Sequence, residues 1–167
     1  MGRLLGRVLV AACTVVVAGL TYVGSASATV PATGRFTFTD SFIDQGVSGI
    51  CGFPVLSTGT DTGSFQVFFD RSGTPVLLRL EIQSRASFSA NGITIPTASA
   101  GMMTMNLING AGTDTGLDIR VTIPGVGNLY LDRGHLIFDS SGNLTFEAGP
   151  HPSLHGDIDG LCAALTP

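Results

Sequence analysis

The chain of 167 residues contains no lysine and no tryptophan, and only 12% of its residues are charged. Its eight arginines are outnumbered by twelve acidic residues, which gives a formal net charge of −4 at pH 7. Nucleic acids and anionic membranes are bound through basic faces, which release counterions or meet anionic lipid. The charge balance therefore predicts that neither is a partner of the folded domain.

The sequence also lacks the common signatures of catalysis and cofactor binding. It contains no Cys-x-x-Cys pair, no His-Glu-x-x-His motif, no Gly-x-Ser-x-Gly elbow, no phosphate loop and no dinucleotide fingerprint. We therefore assign no catalytic residue, no metal site and no cofactor from motifs.

The N-terminal segment has the layout of a secretory signal peptide. Two arginines are the only charges before an apolar run over residues 8–20, and Ala26 and Ala28 are small enough for the signal peptidase pocket. We predict a signal-peptide helix over residues 1–28 and a single secreted β domain over residues 29–167, located outside the cell or in its envelope. An uncleaved anchor is one alternative.

The chain has three cysteines, of which Cys13 lies in the predicted signal peptide. Its position after Val10, Ala11 and Ala12 resembles a lipobox, so a lipoprotein is the second alternative to a signal peptide cleaved after Ala28. Cys51 and Cys162 remain in the mature chain, and in an oxidising compartment we expect them to form a disulfide, with two free buried thiols as the alternative.

Period-two alternation of apolar and polar residues recurs throughout the mature chain and predicts strands. In the clearest case, residues 78–88, an apolar face alternates with one that carries Arg79, Glu81, Gln83 and Arg85. This pattern is typical of an antiparallel sheet with one face on a core. Nine strands are predicted, over residues 35–39, 64–69, 78–88, 93–95, 102–108, 117–123, 128–132, 135–138 and 144–147.

Turn chemistry and the absence of long helices together predict the architecture. Residues 69–73 and 138–142 share the pattern Phe-Asp-x-Ser-Gly, which is typical of tight hairpins. We find no helical period between the signal peptide and the tail, where residues 157–165 predict a short C-terminal helix. The prediction is an all-β antiparallel meander that forms a small barrel, with a two-sheet sandwich as the alternative.

Two Asp-Thr-Gly triplets, at residues 61–63 and 114–116, match the short signature of aspartic proteases. In those enzymes the two carboxylates share a proton in a dry cleft. Here each triplet follows polar residues, so we interpret residues 59–63 and 112–116 as solvated turns and reject the protease hypothesis.

The segment from His151 to Gly160 gathers two histidines, His151 and His155, and two carboxylates, Asp157 and Asp159. Such a group suits zinc or calcium, but Pro152 and Gly156 oppose a regular helix and no closing glutamate follows. We favour a surface loop whose aspartates cap a helix.

Two further groups have both a functional and a structural interpretation. His135, near Asp132, suits a general acid–base pair, but a charge cluster in a hairpin is the more common arrangement. Met102, Met103 and Met105 suit a ligand cavity, but filling of the core is the more common use.

Two regions resemble small secreted actinobacterial proteins that are rich in β-structure and end in a Leu-Cys segment. The first is Cys51-Gly52-Phe53-Pro54-Val55 within residues 40–55. The second, within residues 134–152, contains Gly134-His135-Leu136-Ile137-Phe138-Asp139 and Phe146-Glu147-Ala148-Gly149-Pro150-His151-Pro152. The resemblance implies export, a disulfide and an all-β fold, and it supplies no catalytic residue.

Three functional hypotheses follow. The first is a binding module whose barrel interior, lined from residues 78–88, accepts an apolar small molecule. The second is a structural or interaction protein that binds a cell-surface component through one of its faces, with a filled core and an exposed apolar patch. The third is a hydrolase, which requires His135, His151 or His155 to converge with an aspartate in one pocket.

Overall fold

The computed structural model of the protein describes residues 30–123 and 125–167. The predicted signal peptide, the cleavage site and Cys13 lie outside these residues. In chain order the elements are β1 (Ala32–Ile43), α1 (Gln45–Cys51), β2 (Leu56–Phe69), β3 (Pro75–Ala90), β4 (Ile93–Asn106), β5 (Gly112–Ile123), β6 (Gly127–Phe138), β7 (Leu144–Ala148), a 3-10 helix (Pro152–His155) and α2 (Asp159–Ala164).

The seven strands form one sheet in which spatial order follows chain order. Every neighbouring pair is antiparallel. This confirms the prediction of an all-β antiparallel meander. The sandwich alternative is not seen, because a sandwich needs two sheets packed face to face.

The count of nine strands is wrong because two predicted pairs are single strands. Residues 93–95 and 102–108 both belong to β4, and residues 128–132 and 135–138 both belong to β6. Small and polar residues at residues 96–101 and 133–134 break the apolar pattern, but the backbone ladder continues through them.

The sheet is also not closed into a barrel. Among the described residues, β1 and β7 lie at opposite edges of the sheet and share no ladder. The short strand β7 pairs only with the end of β6, from His135 to Phe138. The chain then leaves the sheet at Gly149, which has φ +104°, and Pro150, which has no N–H to continue a ladder.

Both Phe-Asp-x-Ser-Gly segments form the predicted hairpins, between β2 and β3 and between β6 and β7. In the first, Asp70 Oδ1 accepts hydrogen bonds from the backbone N–H groups of Ser72 and Thr74, at 2.8 and 2.9 Å. Asp139 accepts the equivalent bonds in the second. Side-chain and backbone hydrogen bonds lower the pKa of both carboxyls.

The helix α1 is absent from the sequence prediction. Asp44 begins it, because its Oδ1 accepts hydrogen bonds from the N–H groups of Gly46 and Val47, at 2.9 and 3.0 Å. The helix ends at Gly52, which has φ +76°. Seven residues are too few for a hydrophobic period to show in the sequence. The predicted C-terminal helix is confirmed as α2.

One face of the sheet carries the core. We call the face that bears Val67, Leu78 and Leu80 the inner face and the opposite one the outer face. These three side chains are at most 3% exposed. At the other end of the inner face, the two helices cover a second cluster, whose buried members are Val47, Val55, Phe88, Ile95, Val121, Ile158, Leu161 and Leu165.

The predicted disulfide is present. The Sγ atoms of Cys51 and Cys162 are 1.99 Å apart and their Cα atoms 5.0 Å apart. The bond joins the end of α1 to α2, and both cysteines pack against the cluster beneath the helices. It therefore ties the C-terminal tail to the early part of the sheet.

Candidate functional site

The three histidines on which the hydrolase hypothesis depends lie in different environments. His151 is buried, at 2% exposure. His135 projects from the outer face of β6, where its Nδ1 lies 2.6 Å from Oγ1 of Thr115. His155 is exposed, and its Nε2 lies 3.0 Å from Oε1 of Glu147. The structure does not bring the three imidazoles together in one pocket.

His151 is the centre of a polar cluster on the inner face. Its Nδ1 lies 3.1 Å from Oδ2 of Asp118, and its Nε2 lies 3.4 Å from the carbonyl oxygen of Ala148. The contact with Asp118 has the distance of an ion pair but not the alignment of a hydrogen bond. Nδ1 is thus the one buried side-chain nitrogen or oxygen in the described residues that lacks a hydrogen-bond partner.

Glycine makes room for this imidazole. Gly134 has φ +147°, and a Cβ atom there would lie 2.9 Å from Nε2 of His151 and would clash with the carbonyl oxygen of Ala148. Gly116 pairs with Gly134 across β5 and β6. The sequence marks both positions only as glycines within polar stretches, so the contact with His151 is not predictable from them.

Two carboxyls beside His151 hold protons more tightly than usual. Burial is the main cause that raises the pKa of Asp118 to about 6, and the nearby Asp114 raises it further, while His151 lowers it. Burial also raises the pKa of Asp114. Asp118 is the extra residue of a β-bulge between Leu117 and Ile119, which turns its side chain toward His151.

Asp132 completes the cluster and fastens the C-terminal segment to β6. It is 1% exposed and accepts hydrogen bonds from the backbone N–H and the hydroxyl of Ser153, in the 3-10 helix. Burial, with Asp132 as a lesser cause, raises the pKa of Tyr130. His151 and Asp132 are closed to solvent, whereas about a quarter of the Asp118 side chain is exposed.

The Asp-Thr-Gly segments are not turns, so this prediction is wrong. Residues 59–63 lie in β2 and residues 112–116 in β5. Threonine favours strands, and the cross-strand ladder tolerates the flanking glycines. Two strands separate β2 from β5, and the register offsets the two carboxyls by four residues, so along the sheet Asp61 and Asp114 are about 20 Å apart. They form no carboxylate pair that shares a proton.

The segment after His151 also differs from its prediction. Ile158 is the N-cap of α2 and makes no side-chain capping bond, while Asp159 lies in the first helical turn. The capping role predicted for Asp157 and Asp159 is therefore wrong. Within the residues that the structure describes, no three His, Cys, Asp or Glu side chains are grouped as a metal site requires.

The methionines do not form one patch, because strand alternation divides them between the faces. Met103 and Met105 pack against Val67, Leu78 and Leu80 on the inner face. Met102 lies on the outer face, where its sulfur accepts a hydrogen bond from Nε of Arg79 at 2.9 Å.

The outer face concentrates the positive charge of the protein. Five of the six arginines in the described residues project from it, and all five are exposed. They are Arg35, Arg79, Arg85, Arg120 and Arg133. The strand carboxylates lie on the inner face or in the bulge, with the exception of Glu81, which is 3.6 Å from Arg79.

The strand register places three of these arginines close together. Ala98 in β4 pairs with Arg85 of β3 on one side and with Arg120 of β5 on the other. The Cα atoms of Arg85 and Arg120 are therefore two interstrand spacings apart, about 10 Å. Arg133 lies two residues beyond Leu131, the partner of Arg120, so Arg120 and Arg133 are separated by about 8 Å.

A shallow recess of about 390 Å³ opens beside Arg120. We call it the outer recess. Arg120 and Asn128 are on its wall, and Thr122 Oγ1 donates a hydrogen bond to Asn128 Oδ1 at 3.0 Å. Its lining residues are Pro96, Thr97, Ala98, Arg120, Thr122 and Asn128.

Comparisons with protein-family models, with curated proteins and with solved structures give no match to this chain. In the described ranges, no helix has the length and apolar character needed to cross a membrane. The fold and the arrangement of its side chains are therefore the basis for a functional proposal.

Sequence reasoning missed the arginine face. The signal was present, because each of the five arginines occupies a position on the polar side of its strand. In β3 that polar side was already predicted, at Arg79 and Arg85. The net negative charge hid the feature, because a total charge contains no information about the face on which each charge lies.

Proposed function

We propose that the protein is exported and acts as a non-catalytic binding domain that engages a cell-surface component through its outer face. The observation that carries the proposal is the segregation of exposed arginines onto one sheet face, opposite the core. A charged face of this kind gives electrostatic complementarity to an anionic partner even when the whole chain is acidic.

Two features support export. The predicted signal peptide over residues 1–28 has the charge and hydropathy pattern of secreted precursors. The bond between Cys51 and Cys162 is of the kind that persists in oxidising compartments.

The observed surface favours recognition by charge over recognition by an apolar patch. Exposed large apolar side chains occur in separate places, among them Ile43 beside Leu56 on β1 and β2, and Phe146 on β7. An apolar ligand in a barrel interior stays a prediction. We rank it second because the sheet is open and Val67, Leu78 and Leu80 already fill part of the inner face.

The test uses the full chain expressed in a bacterium that exports proteins. The mass of the product in the medium reports cleavage after Ala28 and the disulfide. The purified protein is then sedimented with isolated cell envelopes of the source organism. We expect it to pellet, and we expect replacement of all five outer arginines by glutamine to abolish pelleting.

The control is Arg71→Gln, which removes an exposed arginine from the β2–β3 turn. It is expected to pellet like the unchanged protein. The proposal fails if the unchanged protein stays in the supernatant, or if the variant without outer arginines pellets equally well.

A further inference from the structure

Three outer-face arginines are free to meet a ligand. Within the described part of the chain, Arg85, Arg120 and Arg133 form no ion pair, whereas Arg79 has Glu81 beside it. An exposed guanidinium without a carboxylate offers all of its N–H donors to an incoming anion.

The outer recess adds further hydrogen-bond donors. Because Asn128 Oδ1 accepts from Thr122, the side-chain amide of Asn128 presents its N–H groups, which have no partner among the described residues. Arg120 lines the same recess. The polar groups at this wall therefore suit a ligand that is rich in acceptor oxygens.

The floor of the recess has a different character. Pro96 and Ala98 project from the outer face of β4 and present small apolar surfaces. The volume of the outer recess, about 390 Å³, is at the lower end of the range for small-molecule sites. A sugar ring combines apolar C–H groups with many acceptor oxygens, which matches an apolar floor beside a donor-rich wall.

We propose that the outer recess binds one unit of an acidic glycan, with its carboxylate on Arg120 and neighbouring charged units on Arg85 and Arg133. This inference rests on the proposed function and identifies the chemical class of its partner. The Cα atoms of these arginines are about 10 and 8 Å apart, which gives the long side chains room to contact charges on more than one unit of a polymer.

Other polyanions fit these residues less well. Single-stranded nucleic acids are held by aromatic side chains on which bases stack, and the recess has no aromatic lining residue. A duplex or an anionic bilayer presents charge over an area larger than three arginines match.

The test measures binding of a hexameric oligogalacturonate by isothermal titration calorimetry, with a neutral cello-oligosaccharide as the uncharged comparison. The full chain, purified after export, is compared with the triple variant Arg85→Gln, Arg120→Gln, Arg133→Gln. The control is Arg71→Gln, which removes an arginine outside the outer face, and the single variant Arg120→Gln removes the same charge at the recess.

We expect the recess variant to bind at least about tenfold more weakly, because each hydrogen bond to a charged group contributes substantially to affinity. We expect the control variant to change affinity by less than about twofold after screening by salt. All four positions are exposed, so unchanged thermal midpoints will show that the variants are folded.

Three results would overturn the inference. The first is an equal loss of affinity for oligogalacturonate in the recess variant and the control variant. The second is binding of the neutral sugar as tightly as oligogalacturonate, and the third is tighter binding of single-stranded DNA or polyphosphate than of oligogalacturonate. Failure to bind oligogalacturonate, while the protein still pellets with envelopes through its outer arginines, removes the inference and leaves the proposed function standing. Loss of both activities removes both.

Discussion

His151 and Asp118 meet at 3.1 Å between Nδ1 and Oδ2, beneath the segment that follows β7. The imidazole is closed to solvent, while about a quarter of the Asp118 side chain is exposed. The contact joins the C-terminal segment to the bulge in β5. Protonation of Asp118 therefore affects how firmly the tail is held on the sheet.

The Asp118→Asn variant tests this coupling. The pKa of Asp118 rises from 3.8 to about 6 on folding, so the folded protein retains a proton that the unfolded chain releases. The free energy of unfolding therefore falls as pH rises from about 4 to 6. We expect the variant to be about 1 to 3 kcal/mol more stable at pH 7 and little changed at pH 4.

Urea denaturation at several pH values measures the effect, with Asp157→Asn as an exposed control in the same region. A variant that is less stable than the unchanged protein at pH 7 would show that the contact with His151 outweighs the cost of burying the carboxylate.

Gly134→Ala tests the close packing under His151. A Cβ atom at this position meets Nε2 of His151 and the backbone of Ala148, and φ +147° disfavours alanine. We expect a loss of about 3 kcal/mol or more in the free energy of unfolding. Chemical denaturation of the purified protein measures it.

The matched control is Gly142→Ala in the β6–β7 hairpin. Gly142 also has a positive φ, +78°, but a Cβ atom there meets nothing within 4 Å. We expect this variant to lose only about 1 kcal/mol in the free energy of unfolding. Equal losses at the two glycines would mean that backbone conformation, and not the contact with His151, sets the cost.

Replacing both Cys51 and Cys162 by serine removes the bond between the two helices. The bond links residues 111 positions apart. The chain-entropy model predicts a loss of about 4 to 5 kcal/mol, because the unfolded chain regains the freedom of that loop. Denaturation of the double variant, and of the unchanged protein with and without reductant, provides the measurement.

Reductant is expected to destabilise the unchanged protein and to have no effect on the double variant. A double variant within about 1 kcal/mol of the oxidised protein would contradict the prediction.

Asp44→Ala tests the cap of α1. The carboxylate of Asp44 is buried and accepts two backbone hydrogen bonds, from Gly46 and Val47. We expect a loss of about 1 to 2 kcal/mol. Asp159→Ala is the control, since Asp159 lies in the first turn of α2 but makes no capping bond. The role of Asp44 as a cap is refuted if the two variants lose equal stability.

Local chemistry made several features predictable. The hairpins at Asp70 and Asp139 depend on hydrogen bonds between residues within five positions of each other, so the local sequence pattern is enough to predict them. Alternation over residues 78–88 likewise predicts a strand with one buried face. The partners of the disulfide were predictable because only two cysteines remain after the predicted signal peptide.

The inner cluster was not predictable in the same way. His151, Asp118 and Asp132 come from the tail, β5 and β6, and their meeting depends on a bulge, on a glycine pair and on the path of the chain after β7. None of these has a sequence signal that specifies its partner. The candidate acid–base residues were named individually, but His135 and His151 are on opposite sides of β6.

The sequence by itself determined the alternating strands, their antiparallel order, the turns and the two ends of the disulfide, because each depends on local geometry or on a single possible pairing. Only the tertiary structure decided that the sheet stays open, that His151 is buried beside Asp118, and that Arg85, Arg120 and Arg133 form one exposed group. The physical reason is that strand alternation assigns each residue to a face, whereas cross-strand register, a long-range property of the folded chain, decides which residues on that face become neighbours.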